Sequence, residues 1–320
     1  MKIKIQFLLM AALALSVSFI SCKKTDSNPV PIENTDLVAH SDDQSSFAQS
    51  TDDVANDANT SIENNNAFNG FAPGEITMGP TGTNGPLGVI CGATTVMDST
   101  ATLRRITITY NGLNCAGTRN RVGVVVLTMP LGQHWKDAGA VLTVDIQNLK
   151  ITRVSDGKYH TINGTVAFTN VTGGRLRDLS ALGTIIHTIT SNGMTVTFDN
   201  GTQRSWQIAK RRTFTYDNGI VITTIGTHTE GTTTGVSEWG TNRFGNAFVT
   251  AITQPMVIRQ DCSMRLVSGQ VTHTKLAATV VVTFGLDSAG NPVSCPTGTY
   301  YFKIVWTSAS GIVRTFILPY

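Results

Sequence analysis

Charge is scarce in this chain: Asp, Glu, Lys and Arg make up 14% of its 320 residues, against roughly a quarter in an ordinary soluble domain. Past residue 20 no apolar run approaches the ~18 residues that a spanning helix needs, which excludes a multi-pass helical membrane protein. The GxSxG elbow, the Walker A loop, the dinucleotide fingerprint and HExxH are all missing. So is any Cys/His spacing of a zinc site. The six histidines (His40, His134, His160, His187, His228 and His273) are scattered, with no two at ligand spacing. Neither a metal nor a cofactor is expected, and no nucleic-acid module is visible.

What is plentiful points to strands. The chain has 41% apolar residues, 30 Gly and 47 Thr, a mixture that favours β-structure and turns over helices. From residue 74 onward the period is two. Leu103–Tyr110, Val122–Thr128, Val141–Ile151, Thr161–Thr169 and Thr195–Phe198 alternate apolar and polar residues. Asn111-Gly112, Asp156-Gly157, Asn192-Gly193, Asn200-Gly201 and Asn218-Gly219 punctuate them as hairpin turns, with His187–Phe198 split at Asn192-Gly193 as the clearest hairpin. Short connections require antiparallel neighbours. The expectation is an all-β antiparallel sandwich or long twisted meander of twelve to fourteen strands over 71–320. Ile162–Val166 echoes Val267–Val271, which hints at two related halves.

The N-terminus reads as an address. Lys2 and Lys4 precede an apolar stretch from Phe7 to Ile20, then Ser21-Cys22, the layout of a secretory signal. Phe19-Ile20-Ser21-Cys22 is similar to a bacterial lipobox. Residues 1–21 are therefore expected to be a lipoprotein signal peptide and Cys22 the acylated anchor, with several acyl chains on one residue giving stable attachment. The four remaining cysteines, Cys91, Cys115, Cys262 and Cys295, form an even set. Outside the cytoplasm such a set predicts two disulfides with three connectivities. Proximity in sequence favours Cys91–Cys115 and Cys262–Cys295.

The overall charge of +3 hides two opposite parts. Residues 22–70 carry two lysines against nine acids, whereas 71–320 carry 20 Lys and Arg against 12 Asp and Glu. Residues 22–40 read as a flexible tether. Ser41-Asp42-Asp43-Gln44 fits a capping box, and Phe47, Thr51, Val54, Ala55, Ala58 and Ile62 follow at helical spacing. A single amphipathic helix is expected within 41–66, its apolar stripe laid on the basic body.

Several stretches resemble one family. They are Ile106–Gly112 leading to Cys115, with Arg119 and Arg121; Phe198–Arg204 followed by Lys210–Phe214; Gly240–Asn246; and Cys262 before Val267-Ser268-Gly269. Together they resemble a recurring all-β lipoprotein family of the Bacteroidota, over most of 40–310. The resemblance implies an anchored all-β envelope protein; the family has no assigned activity or catalytic residues to carry over. Where similar members have Gly-Asp-Gly before the first body cysteine, this chain has Asn111-Gly112-Leu113-Asn114, so a cation-binding loop is not implied. Asp287-Ser288-Ala289 and Asp98-Ser99-Thr100 resemble the O-glycosylation signal of exported proteins of that phylum, with Ser288 and Ser99 as acceptors.

Strict alternation from Arg204 to Tyr216 puts Arg204, Trp206, Ile208, Lys210, Arg212, Phe214 and Tyr216 on one face. A strip of cations and aromatics could grip an anionic glycan, with Arg204, Trp206, Lys210, Arg212 and Tyr216 as its ligand-binding residues. The alternative is that the aromatics are core and a bulge near Lys210 turns the cations outward.

Three functions follow as expectations. The first is a non-enzymatic, lipid-anchored outer-membrane protein, facing the periplasm or the cell surface, with a structural role or one of binding envelope glycan or another envelope protein. The second is a glycan hydrolase whose acids, such as Asp217, Glu230 and Glu238, assemble from separate strands. The third is an assembly subunit that pairs through sheet edges.

Overall fold

The computed structural model describes residues 32–63, 65–70, 89–275, 278–295, 298–308 and 310–319. Cys22, the expected signal peptide and residues 22–31 of the expected tether lie outside them. Among the described residues no helix is long and apolar enough to cross a membrane. Residues from Leu37 onward form one compact unit.

That unit is an antiparallel meander around one helix. Helix α1 (Ile32–Glu63) is followed by the short turn α2 (Asn66–Asn69), then β1 (Ala93–Ser99), β2 (Leu103–Leu113), β3 (Arg119–Pro130), β4 (Ala140–Arg153) and β5 (Tyr159–Asn170). A 3-10 turn (Leu176–Asp178) and α3 (Leu179–Leu182) lead to β6 (Thr184–Phe198), β7 (Gln203–Tyr216), β8 (Ile220–Gly226), β9 (His228–Glu230) and β10 (Thr233–Thr241). The chain ends with β11 (Ala247–Arg259), β12 (Arg265–Lys275), β13 (Ala278–Leu286), β14 (Tyr301–Thr307) and β15 (Val313–Pro319). Among the described residues the 15 strands belong to one sheet, nearly in chain order. It is thus a meander, not two stacked sheets. Only between β7 and β11 does the path divide: β8 pairs the C-terminal part of β7, and β10 pairs Trp206–Ile208.

The sheet curls around α1. Within one helical turn, Gln44 bonds Glu238 on β10 and Ser46 accepts from Arg119 on β3. Those strands are five positions apart in the sheet, about 24 Å if it were flat, whereas a helix with its side chains is only about 10–12 Å across. Curvature is written into the backbone. β3 to β6 carry register shifts at Val122/Val124, Ile146/Leu149, Asn163/Thr165 and Thr190/Thr195. Positive φ at Gly123, Asn148, Gly164 and Gly193 accompanies them. Such a seam of bulges bends and twists neighbouring strands together.

The inner face of the sheet and the helix share the main core. Phe47, Val54, Ala58, Ile62, Ile108, Leu127, Leu142, Ile162, Phe168, Val196, Trp206 and Phe248 are all buried in it. A second cluster, with Leu176, Leu179, Phe214 and Ile222, closes the end near the helix C-terminus. A third, with Val271, Val280, Val282 and Trp306, serves the last strands. The disulfides Cys91–Cys115 and Cys262–Cys295 are formed, with Cα atoms 5.0 and 5.1 Å apart.

Several local expectations are corrected. The helix begins at Ile32, within the stretch read as tether; residues 32–40 contain neither Gly nor Pro, so nothing stops it upstream of Ser41. Ser41 is a buried mid-helix residue instead of an N-cap. Asn192-Gly193 does not split a hairpin but lies inside the continuous strand β6, and Asn111-Gly112 lies inside β2. A residue with φ > 0 serves a hairpin turn or a bulge alike, so Asn192-Gly193 signals either. Asn111-Gly112 has no positive φ and no register shift, and a Cβ on Gly112 would lie 3.2 Å from the Gly92 Cα. Asp156-Gly157, Asn200-Gly201 and Asn218-Gly219 do sit in the links between strands.

Candidate functional site

The inner face of a curled sheet is the natural place for a ligand, and here α1 lies in it. Five acids of the helix meet cations from different strands and links of the sheet. Asp42 takes a two-pronged contact from Arg153 at 2.6 and 2.8 Å, with Lys158 at 3.2 Å. Asp43 is held by Arg243, which also reaches Asp199. Asp52 accepts from Arg212 at 2.7 Å and lies 3.6 Å from Lys210. Asp57 accepts from Arg121 at 2.7 Å and from the Tyr110 hydroxyl at 2.8 Å. At the helix end, Glu63 accepts the Leu176 backbone N–H at 2.8 Å, with Arg177 at 3.8 Å.

The centre of this cradle is Lys210. Its Nζ lies 2.8 Å from Glu238, and both side chains are almost fully buried. Glu238 Oε2 also accepts from Gln44 and from the Trp206 indole N–H. Burial alone would pull the Lys210 ammonium down, but Asp52 and Glu238 outweigh it and raise it. Asp52 moves the opposite way: burial pushes it up, and Lys210 with Arg212 hold it below its ordinary value. The pairing therefore favours the charged forms.

The strip predicted on β7 is placed as alternation requires. Trp206, Ile208, Lys210, Arg212 and Phe214 share the inner face, with no bulge turning the cations outward. That face is covered: Trp206 packs against Phe47 of α1 with ring centroids 4.4 Å apart, and Arg212 bonds Asp52 and Asn56. Arg204 is half-buried and bonds the carbonyls of Asn242 and Arg243, while Tyr216 is exposed at the strand end. The five residues thus divide into three under the helix and two beyond it.

Two small cavities adjoin the helix, each about 10 Å³, the space of a single water. One is mainly apolar, between Val54, Phe168 and Ile208. The other is polar, lined by Asp42, Asp43, Arg153, Arg243 and His160. Burial pulls His160 down to about 3, helped by Arg119 and Arg153.

The remaining candidates are dispersed. Asp217 is exposed beside Arg259 in the β7–β8 link, Glu230 is exposed beside His228 at the end of β9, and Glu238 is buried under α1. The sheet does not bring these three acids together. Ser99 and Ser288 are exposed, at the end of β1 and in the turn after β13. Among the described residues the one cluster of potential metal-ligating groups is Asp261 with Cys262 and Cys295, whose sulfurs are joined to each other.

Sequence reasoning did not find the individual partners of the helix acids. The signal was present as the opposed charge of residues 22–70 and 71–320, but it carried no pairing. No protein-family model, no curated protein and no solved structure matches the chain.

Proposed function

We propose that this chain is a lipid-anchored protein of the bacterial cell envelope, held in the outer membrane through Cys22, that acts by binding an envelope glycan or another envelope protein. The observation that carries this reading is the occupied inner face: the helix fills the concavity and is fixed there by ion pairs from five strands and links. Contact with other molecules then falls to the outer face and the sheet edges. The lipobox-like Phe19-Ile20-Ser21-Cys22 supports the anchor, and the paired cysteines suit an oxidising compartment. The hydrolase reading has no observation in its favour, since Asp217, Glu230 and Glu238 lie apart.

Fractionation tests the anchor. The full chain is expected in the membrane pellet and Cys22→Ala in the soluble fraction; a Cys22→Ala protein that still sediments with the envelope overturns the assignment. A glycan array and an envelope pull-down with the detergent-solubilised full chain test the binding role.

A further inference from the structure

Both ends of the meander are exposed strands, β1 at six of its seven residues, and they differ in the side chains that stand on them. On β1, Asp98 is tied to Arg105 and Met97 is met by Asn65. On β15, Val313-Arg314-Thr315-Phe316-Ile317-Leu318-Pro319, nearly every residue is exposed, with Val313 at 59%, Phe316 at 44% and Leu318 at 43%. One charge, Arg314, stands among apolar and β-branched side chains. Among the described residues no strand pairs with its outer side. Natural edge strands are ordinarily guarded by charge, bulges or covering loops, because their free backbone groups recruit another strand.

The register shows which groups are free. Ser308 donates to the Ile312 carbonyl at the hairpin mouth. Antiparallel pairs alternate between bonded and non-bonded, so the bonded pairs of β14 and β15 are Trp306–Arg314, Ile304–Phe316 and Phe302–Leu318. Val313, Thr315, Ile317 and Pro319 then turn their backbone groups to the open side. Pro319 agrees with this phase: lacking an N–H, it fits within a strand only where its nitrogen faces outward.

We propose that β15 pairs edge to edge with β15 of a second copy of this chain, antiparallel about a twofold axis through Phe316. The proposal rests on the reading that this protein works through its surface and edges. A twofold axis normal to the sheet keeps both inner faces on one side, the self-complementary arrangement commonest in homodimers. In that register Thr315 and Ile317 of each copy exchange N–H···O bonds with Ile317 and Thr315 of the other, and the Val313 N–H reaches the Pro319 carbonyl. Phe316 faces Phe316 of the second copy in a non-bonded pair, the closest kind, with Cα atoms about 4.5 Å apart. Arg314 falls opposite Leu318, so no like charges oppose each other.

Cysteine scanning in membranes carrying the full chain tests this. Under mild oxidation Phe316→Cys is expected to give a disulfide-linked homodimer. Leu318→Cys lies on the same face, but its copies would be about 14 Å apart, and its yield should be lower by at least about tenfold. Adding Thr315→Pro to Phe316→Cys should abolish the dimer, because that N–H faces outward and the β14 ladder is untouched; an unchanged melting temperature checks the fold. Equal cross-linking at both positions, no dimer from a folded Phe316→Cys chain, or a cross-link to a protein of different mass each overturns the proposal. If the dimer fails while the chain still sediments with the envelope, the edge proposal falls and the anchored reading stands. A specific dimer together with a Cys22→Ala chain that stays in the membrane pellet has the opposite meaning.

Discussion

Lys210 sits where a lysine is least comfortable, beneath a helix and away from water, and the structure keeps it charged by surrounding it with Glu238 and Asp52. Removing one partner of such a pair strands the other in a poorly solvated site, which typically costs ~3–5 kcal/mol. Lys210→Met is expected to destabilise by that amount in denaturant melts. Adding Glu238→Gln should recover a large part, because the amide oxygen still accepts from Gln44 and Trp206. A double variant as unstable as the sum of its singles would show that the two side chains do not form a unit. Glu63 carries a pH signature. Burial raises it from 4.5 to about 7, against the Leu176 N–H and Arg177, which lower it. A carboxyl raised in the folded state gives stability that is complete below pH 4.5 and is lost as pH climbs through 7, on the order of 3 kcal/mol in all. His187 and His273, pulled by burial to about 3 and 4, act in the opposite sense, their contribution present above pH 6.5 and lost on acidification. At pH 6.5 the unfolded imidazoles are still half protonated. Above it the contribution of these two and of His160 is still growing and offsets part of the fall due to the raised carboxyls. Asp53, also raised to about 7 by burial and Asp57, shares that fall, so Glu63→Gln should remove about half of it; an unaltered slope contradicts the assignment.

At the scale of elements, the glycines of the bulge seam are not equivalent. A Cβ on Gly164 would lie 2.7 Å from the Met194 Cα, and its φ is +129°. Gly193 has φ +74° but open space around it. Gly164→Ala must therefore force β5 away from β6 and is expected to cost more than about 2 kcal/mol, whereas Gly193→Ala carries only left-handed strain of about 1–2 kcal/mol. Equal losses in thermal melts would mean that the close approach does not matter. The same glycines explain how far the elements were legible. Alternation located β2 to β5 and β7 well, because one side of each strand is buried and a slip of one residue would expose the core. It could not separate a turn from a bulge, since Asn200-Gly201 and Asn192-Gly193 offer the same left-handed residue and differ only in what lies across the strand. Gly164 in Ile162–Val166 and Gly269 in Val267–Val271 share this device, with φ of +129° and +141°. Both segments therefore place a glycine at a local kink. The start of α1 was misplaced for a related reason: Ser41-Asp42-Asp43-Gln44 has the composition of a cap, but the Asp42, Asp43 and Gln44 side chains are committed to residues more than a hundred positions away.

For the whole molecule, the charge split foretold that an acidic segment and a basic body would attract. It could not reveal that the sheet wraps the helix, because curvature depends on bulges in adjacent strands falling at one level. The aromatic–cationic strip illustrates the consequence: its alternation was readable, whereas the cover over Trp206, Lys210 and Arg212 is a long-range fact. The disulfides are instead local. Cys91–Cys115 closes a separation of 24 residues beside the β2–β3 turn, and Cys262–Cys295 closes one of 33 residues between the β11–β12 turn and the approach to β14. In an alternating meander those turns lie at opposite ends of the sheet. Loop-closure entropy sets an upper value of about 3–4 kcal/mol for each bridge. Neither bridge is needed to bring distant strands together, so reduction should lower the melting temperature and leave the strand content intact at 25 °C. With no shared neighbours, Cys91→Ser/Cys115→Ser and Cys262→Ser/Cys295→Ser should add to within about 0.5 kcal/mol when combined. A melt unchanged by reductant, with four thiols titratable in the native protein, would show the bridges to be absent; a strongly non-additive combination would mean that the two ends of the sheet communicate through the helix between them.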